Sequence, residues 1–103
     1  MKAKWTDHAK EQRRQVADYI RKQFGTRRKR QFMQEVNETV RMLMQSPGIG
    51  QIDPLFEERS LAYRSVIING LNKLVYRVDG ERILIVAFWD TRNEPESQAS
   101  QVK

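Results

Sequence analysis

From Ala62 to Trp89 the chain falls into three largely apolar runs, Ala62–Ile68, Leu71–Val78 and Glu81–Trp89. Short apolar runs bounded by turn signals read as β-strands, whose side chains point alternately to the two faces of a sheet. The runs are separated by Asn69-Gly70 and Asp79-Gly80, dipeptides suited to the two-residue type I′ turn, which needs φ > 0 at both central positions. The pattern therefore predicts an antiparallel meander with Arg64 opposite Val75, Val66 opposite Lys73, Tyr76 opposite Ile83 and Leu74 opposite Ile85. In that register one face carries Tyr63, Ile67, Leu74, Tyr76, Val78, Ile83, Ile85, Ala87 and Trp89, and is expected to cover a core. The other carries Arg64, Lys73, Arg77 and Arg82 among Val66, Ile68, Val75, Leu84, Val86 and Phe88. Continued alternation adds Asp90 and Arg92 to it.

The period changes in the first half. Ala9, Val16, Ala17, Ile20 and Phe24 recur at helical spacing, and Phe32, Met33, Val36, Val40, Leu43 and Met44 form a second stripe. Thr6 is an expected N-cap for a helix over Asp7–Phe24, and Asp7 suits its positive end. Gly25 is a natural stop, and Thr26 an expected cap for a second helix over Arg27–Gln45, closed by Ser46-Pro47-Gly48. Lys2–Trp5 reads as a short edge strand, and Ile49–Ser60 as an irregular segment pinned by Leu55 and Phe56. The fold class that follows is α+β: two layers, an N-terminal helix hairpin packed on an antiparallel β-meander. The chain is expected to form one domain, 1–103, with 93–103 a flexible tail.

Composition narrows the chemistry. There is no Cys and one His, His8, read as a surface residue, so neither a thiolate nor a histidine metal site is expected, and no cofactor. Nineteen Lys and Arg against thirteen Asp and Glu give a net charge of +6, which fits nucleic acid, an acidic protein or solubility alone. The densest run, Arg27-Arg28-Lys29-Arg30, sits where a helix dipole disfavours cations; a solvated face and a phosphate or acidic-protein contact both remain open. No apolar run approaches the ~20 residues needed to span a bilayer, and Met1–Trp5 lacks the apolar segment of a secretory signal, so a cytoplasmic protein without membrane contact is expected.

The order of short strand, helix hairpin, Ser46-Pro47-Gly48-Ile49-Gly50 loop and three-strand meander resembles the RelE/ParE superfamily of type II toxin–antitoxin toxins, historically called plasmid stabilisation proteins. Leu74-Val75-Tyr76-Arg77-Val78 and Asp90-Thr91-Arg92-Asn93-Glu94-Pro95 carry the resemblance best. The likeness implies a bacterial growth inhibitor neutralised by a cognate acidic antitoxin, and leaves a homodimer open. ParE-like members bind and inhibit DNA gyrase. RelE-like members are metal-independent, ribosome-dependent messenger-RNA endoribonucleases, in which cations hold the phosphate and a further group moves a proton. A degenerate toxin that only binds its antitoxin is a third class.

Carried over by position, Lys73 stands where RelE-like toxins place an arginine, and Arg92 matches the arginine just past the last strand. Arg64, Lys73 and Arg92 are thus the catalytic candidates if the protein is an enzyme. Arg64, Lys73, Arg77, Arg82, Asp90 and Arg92 are the target-binding candidates. One departure matters. RelE-like nucleases usually carry a Tyr, or a His-Tyr pair, near the C-terminus, and here nothing after Trp89 is Tyr or His. Only Asp90, Glu94 and Glu96 remain as bases there, and Tyr76 is expected to face the core. The resemblance therefore favours the gyrase-binding class over the nuclease.

Overall fold

The computed structural model describes residues 1–102. Its elements run β1 (Lys2–Trp5), α1 (Asp7–Phe24), α2 (Thr26–Gln45), β2 (Gln51–Ile52), a 3-10 turn over Pro54–Phe56, β3 (Arg64–Ile68), β4 (Asn72–Asp79), β5 (Arg82–Asp90) and α3 (Pro95–Ser100). The five strands form one sheet in the order β1-β5-β4-β3-β2, with β1 parallel to β5 and every other pair antiparallel. The Thr6 hydroxyl caps α1 by accepting the Ala9 N–H at 3.1 Å. Thr26 does not cap α2 as expected: it is already helical, and Gly25 at φ 94° is the junction. The Gly25 N–H donates to the Arg21 carbonyl, and its own carbonyl accepts the Lys29 N–H, so one left-handed residue ends α1 and starts α2.

The register differs from the expected one, for two local reasons. Asn69 and Gly70 do take positive φ, 56° and 66°, but Ile68 pairs with Asn72 rather than Leu71. Leu71 is displaced from the ladder, and its carbonyl accepts the Thr91 N–H at 2.8 Å. That extra residue turns β3 over: Val66 and Ile68 meet the helices, while Ile67 is 52% exposed and Tyr63 goes to the opposite face. At the second turn Asp79 pairs with Arg82, leaving Gly80 and Glu81 as the loop; only Gly80 has positive φ. This two-residue slip preserves the faces. Val86 is then bulged out between the pairs Tyr76–Ile85 and Val75–Ala87, which sends Phe88 to the helices and Trp89 away from them.

Two cores result. Leu74, Tyr76, Ile83 and Ile85 lie under the helix hairpin as expected, with Phe88 and Ile68, against Ala9, Phe32, Val36 and Leu43. The opposite face is not open. Val75, Val86, Ala87 and Trp89 are buried there with Tyr63, beneath Phe56 of the 3-10 turn and Ala99 and Val102 at the C-terminal end. Where a fraying tail is expected, α3 forms instead. The Glu94 carboxylate accepts the N–H groups of Glu96 and Ser97 at its start, and Arg59 donates to the Ala99 and Val102 carbonyls at 2.9 and 2.7 Å at its end. Lys103 lies outside the described residues. No helix among them is long and apolar enough to cross a membrane.

Candidate functional site

The six candidate residues do not share one surface. Lys73, Arg77 and Arg82 stay on the sheet face away from the helix hairpin, because β4 keeps the expected alternation and the two-residue slip leaves the start of β5 unflipped. Arg64 is carried to the hairpin side by the turned register of β3, opposite Tyr76. Its guanidinium donates to the Gly50 carbonyl at 2.8 Å and sits 3.5 Å from the Gly48 carbonyl. It braces the Ser46–Gly50 loop. The Tyr76 hydroxyl holds the same loop from inside, donating to the Pro47 carbonyl at 2.6 Å and accepting the Gly50 N–H at 3.0 Å. Burial pushes the Tyr76 phenol above its ordinary ionisation range, so it stays a neutral donor.

Lys73 is committed to a partner the alternation did not reveal. Its ammonium forms an ion pair with Asp53, whose side chain is 1% exposed while that of Lys73 is 17% exposed. The ammonium also lies 5.4 Å from the centroid of Trp89. Burial acts to raise the Asp53 carboxyl, but hydrogen bonding from Lys73, from the Leu55 N–H at 3.0 Å and from Ser65 outweighs it and holds the carboxyl below the usual range. The pair thus staples the 3-10 turn onto the sheet. Asp53-Pro54 reads in sequence as a turn. Only the fold puts its carboxylate over β4.

Arg77 and Arg82 share Asp79, at 3.8 and 3.1 Å. Arg77 also lines a cleft of about 390 Å³ with Thr6, His8, Leu84, Val86, Gln101 and Val102. His8 Nε2 and Arg77 Nε are buried there without a hydrogen-bond partner among the described residues. His8, expected at the surface, is half-buried where the start of α1 borders this cleft. The one cue to it in sequence is its place in the first turn of α1.

Asp90 and Arg92 lie on the hairpin side, at the end of β5. The Arg92 guanidinium forks onto the Asp90 carboxylate, with Nη2–Oδ2 2.6 Å and Nε–Oδ1 2.9 Å, and the Arg92 N–H adds a bond of 2.8 Å. Those hydrogen bonds hold the Asp90 carboxyl below the usual range and push the guanidinium higher still. Both residues edge a cleft of about 230 Å³ lined by Tyr19, Phe24, Arg28, Phe32 and Leu71. In chemical terms each of the five cations already has a carboxylate or a backbone carbonyl as partner; the arrangement suits polar recognition at separate surfaces more than proton transfer at one centre.

Comparison with known proteins agrees with this architecture. A search of curated proteins finds no match. Among solved structures, the chain is similar to one described as the chromosomal ParDE toxin–antitoxin system from P. aeruginosa, with TM-score 0.70 and 23% identity over 87% of this chain and 95% of that one. It is also similar to the YoeB dimer from Staphylococcus aureus, with TM-score 0.55 and 22% identity over 84% of this chain and 92% of that one. At these identities the likeness is one of fold. The family profile described as the ParE toxin of the type II toxin–antitoxin system parDE matches residues 3–95. Covering both long helices, β2 to β5 and all but the first residue of β1, that match shows that the chain belongs to the ParE toxin family of type II toxin–antitoxin systems.

Proposed function

We propose that this toxin acts by binding and inhibiting DNA gyrase in the cytoplasm, and that an acidic antitoxin neutralises it. The observation that carries the reading is the commitment of the catalytic candidates. Cleaving RNA through its own 2′-hydroxyl requires a cation on the phosphate and a proton-transfer group within hydrogen-bond reach. Lys73 is held by Asp53, Arg92 by Asp90 and Arg64 by the Ser46–Gly50 loop, while the Tyr76 hydroxyl is buried on Pro47. Binding needs no such centre. Arg82 and Arg92, with side chains 46% and 67% exposed, are open to a large partner; they are the residues we assign to target contact, with Arg77 set deeper in its cleft.

A second reading rests on the cleft shared by His8 and Arg77. An imidazole and a guanidinium lining one cleft have the composition of a general base with a phosphate holder, which an endoribonuclease uses. Induced expression separates the two. Purified toxin is expected to inhibit gyrase supercoiling, and His8→Gln to arrest growth as the parent does. Messenger-RNA cleavage that His8→Gln abolishes, with supercoiling untouched, would overturn the gyrase reading. Antitoxin binding without growth arrest would identify a degenerate toxin. The solved YoeB neighbour is described as a dimer, and sedimentation of the free toxin tests whether this chain dimerises too.

A further inference from the structure

The net charge of this protein resides at one end of it. Residues 21–30 carry six of the nineteen Lys and Arg and none of the thirteen Asp and Glu, so the rest of the chain is balanced at thirteen of each. These ten residues are the tip of the helix hairpin, where Arg21 and Lys22 close α1 and Arg27, Arg28, Lys29 and Arg30 open α2. The first pair suits the negative end of α1. The second group opposes the dipole of α2, whose first turn holds no acid and no side-chain cap. Arg28 reaches Glu35 at 3.9 Å; the other five pair with no carboxylate among the described residues. The α2 dipole does not call for its four cations, and Arg28 apart they have no carboxylate partner among the described residues.

Aromatic rings stand beside the cations. Phe24 is 67% exposed and Tyr19 is 54% exposed, and both line the 230 Å³ cleft with Arg28 and Arg92 at its rim. A concentrated positive patch calls for a polyanion, and exposed rings among cations call for a partner with flat faces. An unpaired nucleic-acid strand has both, with phosphates for the cations and bases for the rings. An acidic peptide satisfies the charge but does not bring a stackable base with every anionic group. We propose that the hairpin tip is a docking surface for unpaired DNA, with bases stacked on Phe24 and Tyr19 and the backbone tracked by Arg21, Lys22, Arg27, Lys29 and Arg30. The choice of DNA over RNA rests on the gyrase reading above; the stacking and phosphate contacts do not.

The test is fluorescence anisotropy of the purified toxin with a labelled oligothymidine of about 12 nucleotides, against the matching duplex, the RNA strand and polyglutamate. If five phosphates are engaged, affinity should fall about a hundredfold between 50 and 200 mM salt, from a slope of about −0.7 per phosphate. The charge reversal Arg27→Glu/Lys29→Glu/Arg30→Glu should abolish binding. It should not lower the melting temperature, because acids suit the first turn of α2. Phe24→Ala should weaken the unpaired strand about tenfold and the duplex little. Absence of binding at 50 mM salt, full binding by the charge reversal, or tighter binding to RNA or polyglutamate would each overturn the proposal. The supercoiling assay is read separately, so a toxin that grips DNA through the tip but spares gyrase refutes the target alone.

Discussion

Lys73→Met tests whether the Asp53 ion pair is a structural staple. Methionine keeps the length of the lysine and removes its charge. The carboxylate of Asp53, 1% exposed, is then left with the Leu55 N–H and Ser65 but without a counter-ion. Removing one partner of a buried pair costs about 3–5 kcal/mol, and the 17% exposure of Lys73 places this case at the lower end, about 3 kcal/mol. At about 4–8 °C per kcal/mol for a domain of this size, the melting temperature at pH 7 should drop by about 12–24 °C. The pH dependence has a definite sign. In the parent the Asp53 carboxyl is held low, so its contribution is present above about pH 3.9 and is lost as pH falls through the lowered folded value. In Lys73→Met burial acts with much less opposition and raises the carboxyl, so the penalty is greatest at neutral pH and shrinks on acidification. Circular-dichroism melts at pH 7 and pH 4 should show the gap narrowing. Asp53→Asn/Lys73→Met should recover part of the loss, with a coupling of at least about 1 kcal/mol. A Lys73→Met melt within about 3 °C of the parent at pH 7, or single effects that simply add, would refute the staple and return Lys73 to the set of free cations.

Gly50→Ala should destabilise by about 1–3 kcal/mol in urea titration, because a Cβ there would lie 2.6 Å from the Tyr76 hydroxyl and 3.0 Å from the Ser65 carbonyl. Gln12→Ala should cost about 1–3 kcal/mol and speed exchange of the Phe88 amide, whose N–H donates to Gln12 Oε1 at 2.8 Å beyond the reach of β1. Arg59→Ala should release the Ala99 and Val102 carbonyls, costing about 1–2 kcal/mol, with faster hydrogen exchange over residues 98–102 and a shift in Trp89 fluorescence while α1 is unchanged.

The elements held by neighbours in sequence were legible in advance. The stripe of Ala9, Val16, Ala17, Ile20 and Phe24 with Thr6 before it bounds α1 at Asp7–Phe24, because helix hydrogen bonds and caps close within four residues. Period-two alternation placed Leu74, Tyr76, Ile83 and Ile85 beneath the hairpin. The family was legible too, since the order of elements and the Leu74–Val78 and Asp90–Pro95 stretches survive any error of register.

What the tertiary structure decided is how the strands slide and what covers their second face. Leu71 leaves the ladder to accept a hydrogen bond from Thr91, twenty residues on, and Val86 bulges out opposite the step from Val75 to Tyr76. Each extra residue inverts the faces beyond it, so Tyr63, Ile67, Ala87 and Trp89 fall opposite to expectation and Arg64 leaves the side of Lys73 and Arg77. The tail after Arg92 offers Ala99 and Val102 as its only apolar groups, too few to mark a helix by period. They are buried because the sheet face exists and Arg59 reaches across to hold them. Local bonding is written in adjacent residues; the register of a sheet and the pairing of Asp53 with Lys73 depend on contacts between distant segments, which form only when the chain has folded.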